Sequence, residues 1–376
     1  MNSKNKIFIA CISILIGTAI GAGILGIPYV VAKSGFLIGL SYIVLLGAII
    51  LLVNLYLGEI VLRTKGKHQL GGYAEKYLGK TGKLFMSFAF IFGIYSAILA
   101  YLVGISESFS FLFYGNFNYS ILIGILFGIF MSYLLFRGLR ALKTFEKFGV
   151  SAIFILFILI AIFFSRKISF DNLMTINTGF LFLPFGVVLF ALLSFSVIPE
   201  INLILKKDKI LMKKILVTGT LITILFYILF TFIVVGFKGV ETPEIATLAL
   251  GPIFIVLGIF TMFTSYLALG NALQDSFIYD FKYKKVKAWF FSALIPIFIF
   301  LLIKMSKYFT FIKIISIGGV VSGGLMGILI LLMTKKAKLL GDRKPEYSIF
   351  INWFIIVLLS LIFVFGILRE VLVALR

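Results

Sequence analysis

Eleven apolar runs, each long enough to cross a bilayer, take up most of the chain and leave few folds open to it. A spanning helix needs roughly 20 predominantly apolar residues. Runs of that kind lie at about 7–33, 36–62, 84–113, 117–136, 146–165, 178–204, 215–237, 252–280, 287–303, 308–333 and 348–370. In hydrocarbon every backbone N–H and C=O must find its partner within the structure, so such runs fold as helices. Composition agrees: 62% of residues are hydrophobic and 13% charged, against about half and a quarter in soluble domains. The expectation is an all-α polytopic membrane protein of about 11 transmembrane helices, with 1–376 as one transporter-sized membrane domain. Lys4 and Lys6 precede the first run as they do in a secretory signal, but the run continues to about Val31 and more spans follow. It reads as the first spanning helix, because a signal's apolar region is shorter.

Charge placement fixes an orientation. The chain has 35 Lys and Arg against 14 Asp and Glu, for a net charge of +21. With the N-terminus inside, 26 of the 35 basic residues fall in inside segments and 8 in outside segments, while Lys313 lies in the tenth span. Positive charge collects on the cytoplasmic side of membrane proteins. The N-terminus is therefore expected in the cytoplasm and the C-terminus outside, in the cell (plasma) membrane. Basic charge distributed loop by loop on one membrane side does not form a nucleic-acid surface. The partner it implies is the lipid bilayer.

His68 is the single histidine and lies in a polar loop, and Cys11 is the single cysteine. A histidine-based triad, a zinc cluster and an intramolecular disulfide are thus excluded. The 14 scattered acids form no catalytic cluster in the sequence, so no enzyme is expected. Nothing resembles the charged or carbonyl-ringed filter of a channel. Two loops read as ordered. Residues 66–83 mix apolar and basic residues as an interfacial helix does, and 239–251 carry an apolar face at helical spacing.

Gly21-Ala22-Gly23-Ile24-Leu25-Gly26 fits the G-x-G-x-x-G pattern of dinucleotide loops. Such a loop follows a buried strand and opens a soluble helix, and this one lies inside an apolar span. The glycines have another reading. Span 1 carries Gly17, Gly21, Gly23, Gly26 and Pro28, and span 6, five spans later, carries Pro184, Gly186, Ser194, Ser196 and Pro199. Interrupted helices at corresponding positions of two halves point to a transporter binding site. A five-helix unit used twice must be inverted the second time, because five is odd. The units are about 7–165 and 178–333, with an extra helix at about 348–370. A broken helix frees N–H groups that suit a carboxylate and C=O groups that suit a cation. The plainer reading is that Gly17-x-x-x-Gly21 lets helices pack closely.

The residues also carry a resemblance. "GTAIGAGILGIPYVVAKSGF" (17–36), "LGEIVLRT" with "YAEKYLGKTGK" (57–83), "AYLVGISESF" (100–109), "FALLSFSVIPEI" (190–201) and "TSYLALGNALQDSF" (264–277) resemble helices 1, 2, 3, 6 and 8 of the amino acid/auxin permease and aromatic amino acid (tryptophan/tyrosine) permease families. These belong to the amino acid–polyamine–organocation superfamily, with the LeuT-type 5+5 inverted repeat and broken helices 1 and 6. The resemblance implies an amino acid symporter working by alternating access, coupled to sodium or protons. It places the unwound part of span 1 at Ile20–Ile24, whose N–H groups hold the substrate carboxylate. It places the span 6 break near Leu193–Ser196, which holds the amino group. The implied substrate site is Thr18, Gly21, Ala22, Gly23, Ile24, Phe190, Ser194, Phe195 and Ser196. Phe190 and Phe195 stand as candidate gates, although most of the chain's 44 phenylalanines face lipid or core.

Thr261, Thr264 and Ser265 are spaced i, i+3, i+4 and share one helix face. The resemblance makes this face one wall of a sodium site, with the carbonyls of Gly17, Ile20 and Thr261 and the hydroxyls of Thr264 and Ser265 as ligands. The alternative is that these hydroxyls bond their own helix. No other metal and no cofactor is expected. Ionisable residues within spans mark function by default. Glu107 in span 3 is the proton-coupling candidate, the alternatives being a partner for a cation or a structural acid. Glu200 suits the N-terminus of the inner half-helix, Glu59 a basic partner near the inner end of span 2. Lys147 and Lys313 read as snorkelling side chains.

The sequence thus points to a secondary transporter of neutral amino acids. The pocket shows no acid or arginine for a charged substrate side chain, and glycine and alanine leave room for aromatic or large apolar ones. Small polar substrates such as serine remain open. The alternative is an amino-acid-sensing receptor subunit of the same fold without net transport.

Overall fold

The computed structural model describes residues 3–137, 154–155, 157–206, 208–279, 281–306 and 308–374. Helices dominate because each apolar run can satisfy its backbone only within itself. In chain order they are α1 (Ser3–Ala19), α2 (Ala22–Ser34), α3 (Phe36–Arg63), α4 (Leu70–Tyr114), α5 (Ser120–Arg137), α6 (157–164), α7 (Leu183–Leu192), α8 (Ile198–Leu205), α9 (Leu211–Lys238) and α10 (Pro252–Tyr279). The chain continues through α11 (Lys285–Trp289), α12 (Ile295–Ser306), α13 (Phe311–Gly318), α14 (Gly324–Leu340) and α15 (Trp353–Ala374). Among the described residues, nine segments are long and apolar enough to cross a membrane, and α1 with α2 form one more, bent by 54°. Most of the fifth expected span, and Lys147 with it, lie outside the described residues.

The end of the bundle that carries the N-terminus is here the base, and the other end the top. Helices α1–α2, α3, α7–α8 and α9 pack together, and α4 lies against α5, α10 and α13–α14. Small residues make the closest approaches. A Cβ on Gly319 would run into the Gly186 carbonyl oxygen, and one on Gly47 would stand 2.6 Å from Ile224. Such contacts, rather than water exclusion, hold helices together in lipid. The outward faces are apolar: Leu45, Leu126 and Leu361 are each about 60% exposed, as a lipid contact requires.

Of residues 66–83, expected to form an interfacial helix, 70–78 form a short helix, the first turns of α4, and 66–69 are irregular. Gly79, at φ 77°, turns this helix into the spanning part, a conformation that favours glycine. Residues 239–251 differ from expectation. They form two 3₁₀ turns, Gly239–Glu241 and Ala246–Ala249, rather than an α-helix. Pro243 lacks an N–H, and Thr242 before it is held extended at ψ 122°. Ile245, Ala246 and Thr247 are nevertheless buried, so the segment caps the top between α9 and α10.

At the base, Glu59 is fully buried and paired, as its place near the end of α3 implied. Its partners are Arg63 of the same helix (2.9 Å), Lys338 of α14 (3.3 Å), the Ser348 hydroxyl (2.8 Å) and the Ile349 N–H (2.7 Å). The Tyr347 hydroxyl donates to the Leu55 carbonyl, and the Tyr56 hydroxyl to that of Phe350. Asp342 takes Lys76 and the Lys65 N–H, and the Lys76 hydrogen bond holds its carboxyl below the usual range. The connection from α14 to α15 is thereby strapped beneath α3.

At the top, the Glu244 carboxylate accepts the Ile312 N–H at 3.1 Å and the Thr310 hydroxyl, so the 239–251 segment is pinned to the start of α13. Burial raises the Glu244 carboxyl above the ordinary range, and nearby Glu107 adds to this, against the lowering effect of those two hydrogen bonds and of Lys313. The folded state therefore holds this proton more tightly than the unfolded chain. The associated stability is complete below the ordinary carboxylate pKa and is lost as pH rises through the raised value. Glu244→Gln keeps an acceptor without the charge. The variant is expected to melt above the parent protein at roughly pH 8 and level with it near roughly pH 4, as thermal melts in detergent at the two pH values will show.

Candidate functional site

Two helix breaks meet in the middle of the bundle. The first is at Ile20 and Gly21, where α1 ends and α2 begins. It is shorter than expected, since Ala22, Gly23 and Ile24 already form the first turn of α2. The chemistry does not need them unwound. First-turn N–H groups have no partner inside their own helix even when helical. The cap at Gly21 supplies no side-chain acceptor to the positive end of α2, where the Tyr101 hydroxyl lies at the Ala22 backbone. The second break is at Leu193 and Ser194, followed by a 3₁₀ turn at Phe195–Val197 and then α8. Pro199 opens α8 and Glu200 lies in its first turn, where a negative charge is favoured.

Glycine is required at the first break by what surrounds it. A Cβ on Gly21 would meet the Tyr101 hydroxyl at 2.5 Å. A Cβ on Gly23 would stand 2.5 Å from Ala191 Cα and 3.1 Å from its N. The second clash is with backbone, which cannot swing aside, so α2 and α7 touch only because position 23 has no side chain.

A cavity of about 80 Å³ straddles the breaks. Seven of the nine expected substrate residues line it: Thr18, Gly21, Ala22, Gly23, Phe190, Phe195 and Ser196. Ile24 and Ser194 do not. Ile24 is buried in the core. The Ser194 hydroxyl accepts from Asn54 Nδ2 of α3 at 3.1 Å, and the same amide lies 3.4 Å from the Thr220 hydroxyl of α9. This buried polar knot holds the second break from the side away from the cavity. The remaining wall is mostly apolar, with Phe90, Ile94, Leu193, Leu269 and Met326, and with Ser322 as a polar point. Toward the top the helices close. A Cβ on Gly26 would meet Ile315 at 2.6 Å and Ile312 at 3.0 Å. The cavity takes Thr18 and Ala19 from before the first break and Leu193, Phe195 and Ser196 from the second break onward, so it extends toward the base.

The expected ion-site residues are disposed as follows. The Thr261 hydroxyl donates to Gly258 O at 2.8 Å, and that of Thr264 to Thr261 O at 2.9 Å. Both thus bond their own helix, and each keeps lone pairs for a further partner. Ser265 hydrogen-bonds the Tyr101 hydroxyl, which also lies at the Ala22 backbone. The Ile20 N–H is used within the end of α1, on Ile16 O, and Gly17 lies in the last turn of that helix. Glu107 stands apart from the cavity, in a 2.6 Å ion pair with Lys304 of α12. Lys313 lies 3.7 Å from the centroid of the Tyr308 ring.

Three residues at the site escape a reading of the sequence. Tyr101, Tyr227 and Asn54 each touch a break, yet two of them are among 16 tyrosines with nothing to single them out. Asn54, an amide in the middle of the apolar run "LLVNLYLGE", carried the one usable signal.

The family model of tryptophan/tyrosine permeases matches residues 4–372. The chain belongs to that family. This is a family of permeases, not of enzymes. The permease is similar to "Tyrosine-specific transport system 1" of Haemophilus influenzae, with 28% identity over 57% of this chain and 54% of that protein. The match thus spans about half the length of that relative. It is also similar to "Glutamine transporter 2" of Aliivibrio fischeri, with 24% identity over 76% of this chain and 78% of that one. Among solved structures, the crystal structure of MhsT in complex with L-phenylalanine superposes with a TM-score of 0.71, covering 96% of this chain and 97% of that one at 17% identity. This places the permease in the LeuT-type fold.

Gly23→Ala is expected to drive α2 and α7 apart at a cost of about 2 kcal/mol or more. A lowered melting temperature together with loss of amino acid binding in the purified protein is the expected result.

Proposed function

We propose that this permease is a secondary active transporter of neutral amino acids, with aromatic side chains preferred, driven by a sodium or proton gradient through alternating access. The observation that carries this reading is the N-terminal turn of α2, which Gly21 leaves without a side-chain cap and where the Tyr101 hydroxyl meets the Ala22 backbone, facing a largely apolar cavity at the second break. An amino acid needs those elements together. Its carboxylate is attracted to unpartnered N–H groups at a positive helix end, its ammonium to carbonyls and hydroxyls near the other break, and an aromatic side chain to Phe90, Phe190, Phe195 and Leu269. No acid or arginine lines the cavity among the described residues, which favours a neutral side chain. Names of relatives support transport over ligand sensing, and the tyrosine system and the phenylalanine-bound neighbour support an aromatic substrate. The glutamine transporter makes a polar neutral side chain the comparison to run.

The surplus of basic loops at the base supports a cytoplasmic base in the plasma membrane, with the C-terminus outside. On that orientation the closed top and the cavity reaching toward the base correspond to an inward-facing stage. Thr264 and Ser265 would take a sodium ion together with carbonyls of Gly17, Ile20 and Thr261. Five neutral oxygens suit a hard monovalent cation.

Vesicles holding the purified permease are expected to accumulate tryptophan, tyrosine or phenylalanine when an inward sodium or proton gradient is imposed, and to accumulate glutamine less. Absence of gradient-driven uptake for all twenty amino acids would sink the reading. In the same vesicles, Thr264→Ala/Ser265→Ala is expected to raise the sodium concentration for half-maximal uptake about ten-fold or more, the loss of roughly one cation ligand pair. Unchanged sodium dependence in that variant removes the ion site while leaving the transport reading in place.

A further inference from the structure

The two breaks are joined by one side chain. Tyr227, on α9, is fully buried. Its hydroxyl lies 2.7 Å from the carbonyl oxygen of Ala19 and 2.6 Å from that of Ala191. Ala19 is the last residue of α1, and Ala191 lies in the last turn of α7. Both carbonyls are therefore of the kind that a helix end leaves without an intrahelical partner. Two negative helix ends converge on one point, and carbonyls freed in this way are the groups that would otherwise draw a cation. Here a phenolic O–H stands between them. It has a single proton to donate, so the two carbonyls share it, and neither can move away without giving it up to the other.

The neighbourhood leaves little slack. Ala191 also touches Gly23 across the α2–α7 contact. The Ala19 carbonyl takes the Gly21 N–H at 3.1 Å, which fixes the turn leading into α2. The second break is held independently on the far side by Asn54 and Thr220, the latter on α9 as well. Helix α9 therefore meets both helix ends directly through Tyr227, and reaches the second break again only by way of Asn54, through Thr220. Tyr227 does not line the cavity.

We propose that Tyr227 is a positioning residue for transport: its hydroxyl ties the end of α1 to the end of α7, in the place a cation would take, so that the two breaks rearrange as one unit. This rests on the transport reading above. Because the residue acts on the linkage between half-helices and not on the substrate, removing its donor slows the conformational cycle and leaves the apparent affinity nearly unchanged.

The test is uptake of radiolabelled tryptophan, tyrosine or phenylalanine, whichever the unmodified permease accumulates, by matched vesicles of three proteins: the unmodified permease, Tyr227→Phe, and the permease with para-aminophenylalanine incorporated at 227. The amino group offers two N–H donors in the place of one O–H. Tyr227→Phe is expected to lower the maximal uptake rate about ten-fold or more, the cost of one buried hydrogen bond, with the half-saturating substrate concentration changed less than about three-fold. The aminophenylalanine protein is expected to recover most of the lost rate. Tyr227→Phe with a maximal rate within two-fold of the unmodified protein overturns the proposal. So does a loss in the half-saturating concentration alone, or an aminophenylalanine protein that folds and transports no faster than Tyr227→Phe. If Tyr227→Phe does not fold, the aminophenylalanine protein decides alone: transport near the unmodified rate supports the tie, and its absence overturns it. Failure of the unmodified permease to transport is a separate result and bears on the transport reading instead.

Discussion

A hydrogen-bond partner for every backbone group is the constraint from which this structure follows. In hydrocarbon an unpaired N–H or C=O costs several kcal/mol, and the chain answers almost everywhere with uninterrupted helix. At two places among the described residues it leaves a span's helix broken. Ile20–Gly21 and Leu193–Ser194 interrupt their helices at mid-span, and much of the surrounding polar chemistry is gathered there. Asn54, Tyr101, Thr220 and Tyr227 are the buried polar side chains that serve these interruptions. The first turn of α2, which faces the cavity, has no cap from Gly21, and the Tyr101 hydroxyl lies at its Ala22 backbone.

Packing enforces the same arrangement. Glycines at 23, 186 and 319 bring helix backbones to contact distances at which any side chain would clash. These contacts set how near the two breaks come, and so how a single phenol spans from one to the other. The ends of the bundle are closed by different means. At the base, buried Glu59 gathers Arg63, Lys338 and the 341–352 strap. At the top, Glu244 pins the 239–251 segment to α13. Both are hydrogen-bonded carboxylates holding irregular chain to a helix end, which is where irregular chain is tolerated in a membrane protein.

The relation between sequence and site is uneven in an instructive way. Seven of nine expected substrate residues line the cavity, because glycine, proline and serine mark a helix interruption locally. Of the two that do not, Ser194 lies in the second break with its hydroxyl on Asn54, and Ile24 follows the first break with its side chain in the core. Thr261 and Thr264 donate to their own helix, an alternative visible in the sequence since the i−3 and i−4 carbonyls are always at hand. Glu107 was legible as an intramembrane acid, whereas its ion pair with Lys304, 197 positions away, was not. The 239–251 segment misled through its apolar spacing, which Pro243 overrides by denying the helix an N–H.

The sequence alone marked the apolar spans, the basic loops and the neighbourhood of both breaks. Each of these is set by residues within one helix length of one another: apolar length, loop charge, and glycine or proline that spoils a helix where it stands. Tertiary structure alone decided which side chains serve the freed backbone. The Tyr227 hydroxyl meets a carbonyl 208 positions away in sequence and another 36 away. No local pattern encodes such a meeting. It depends on how closely glycine contacts let the helices approach, a property that exists only once they are packed.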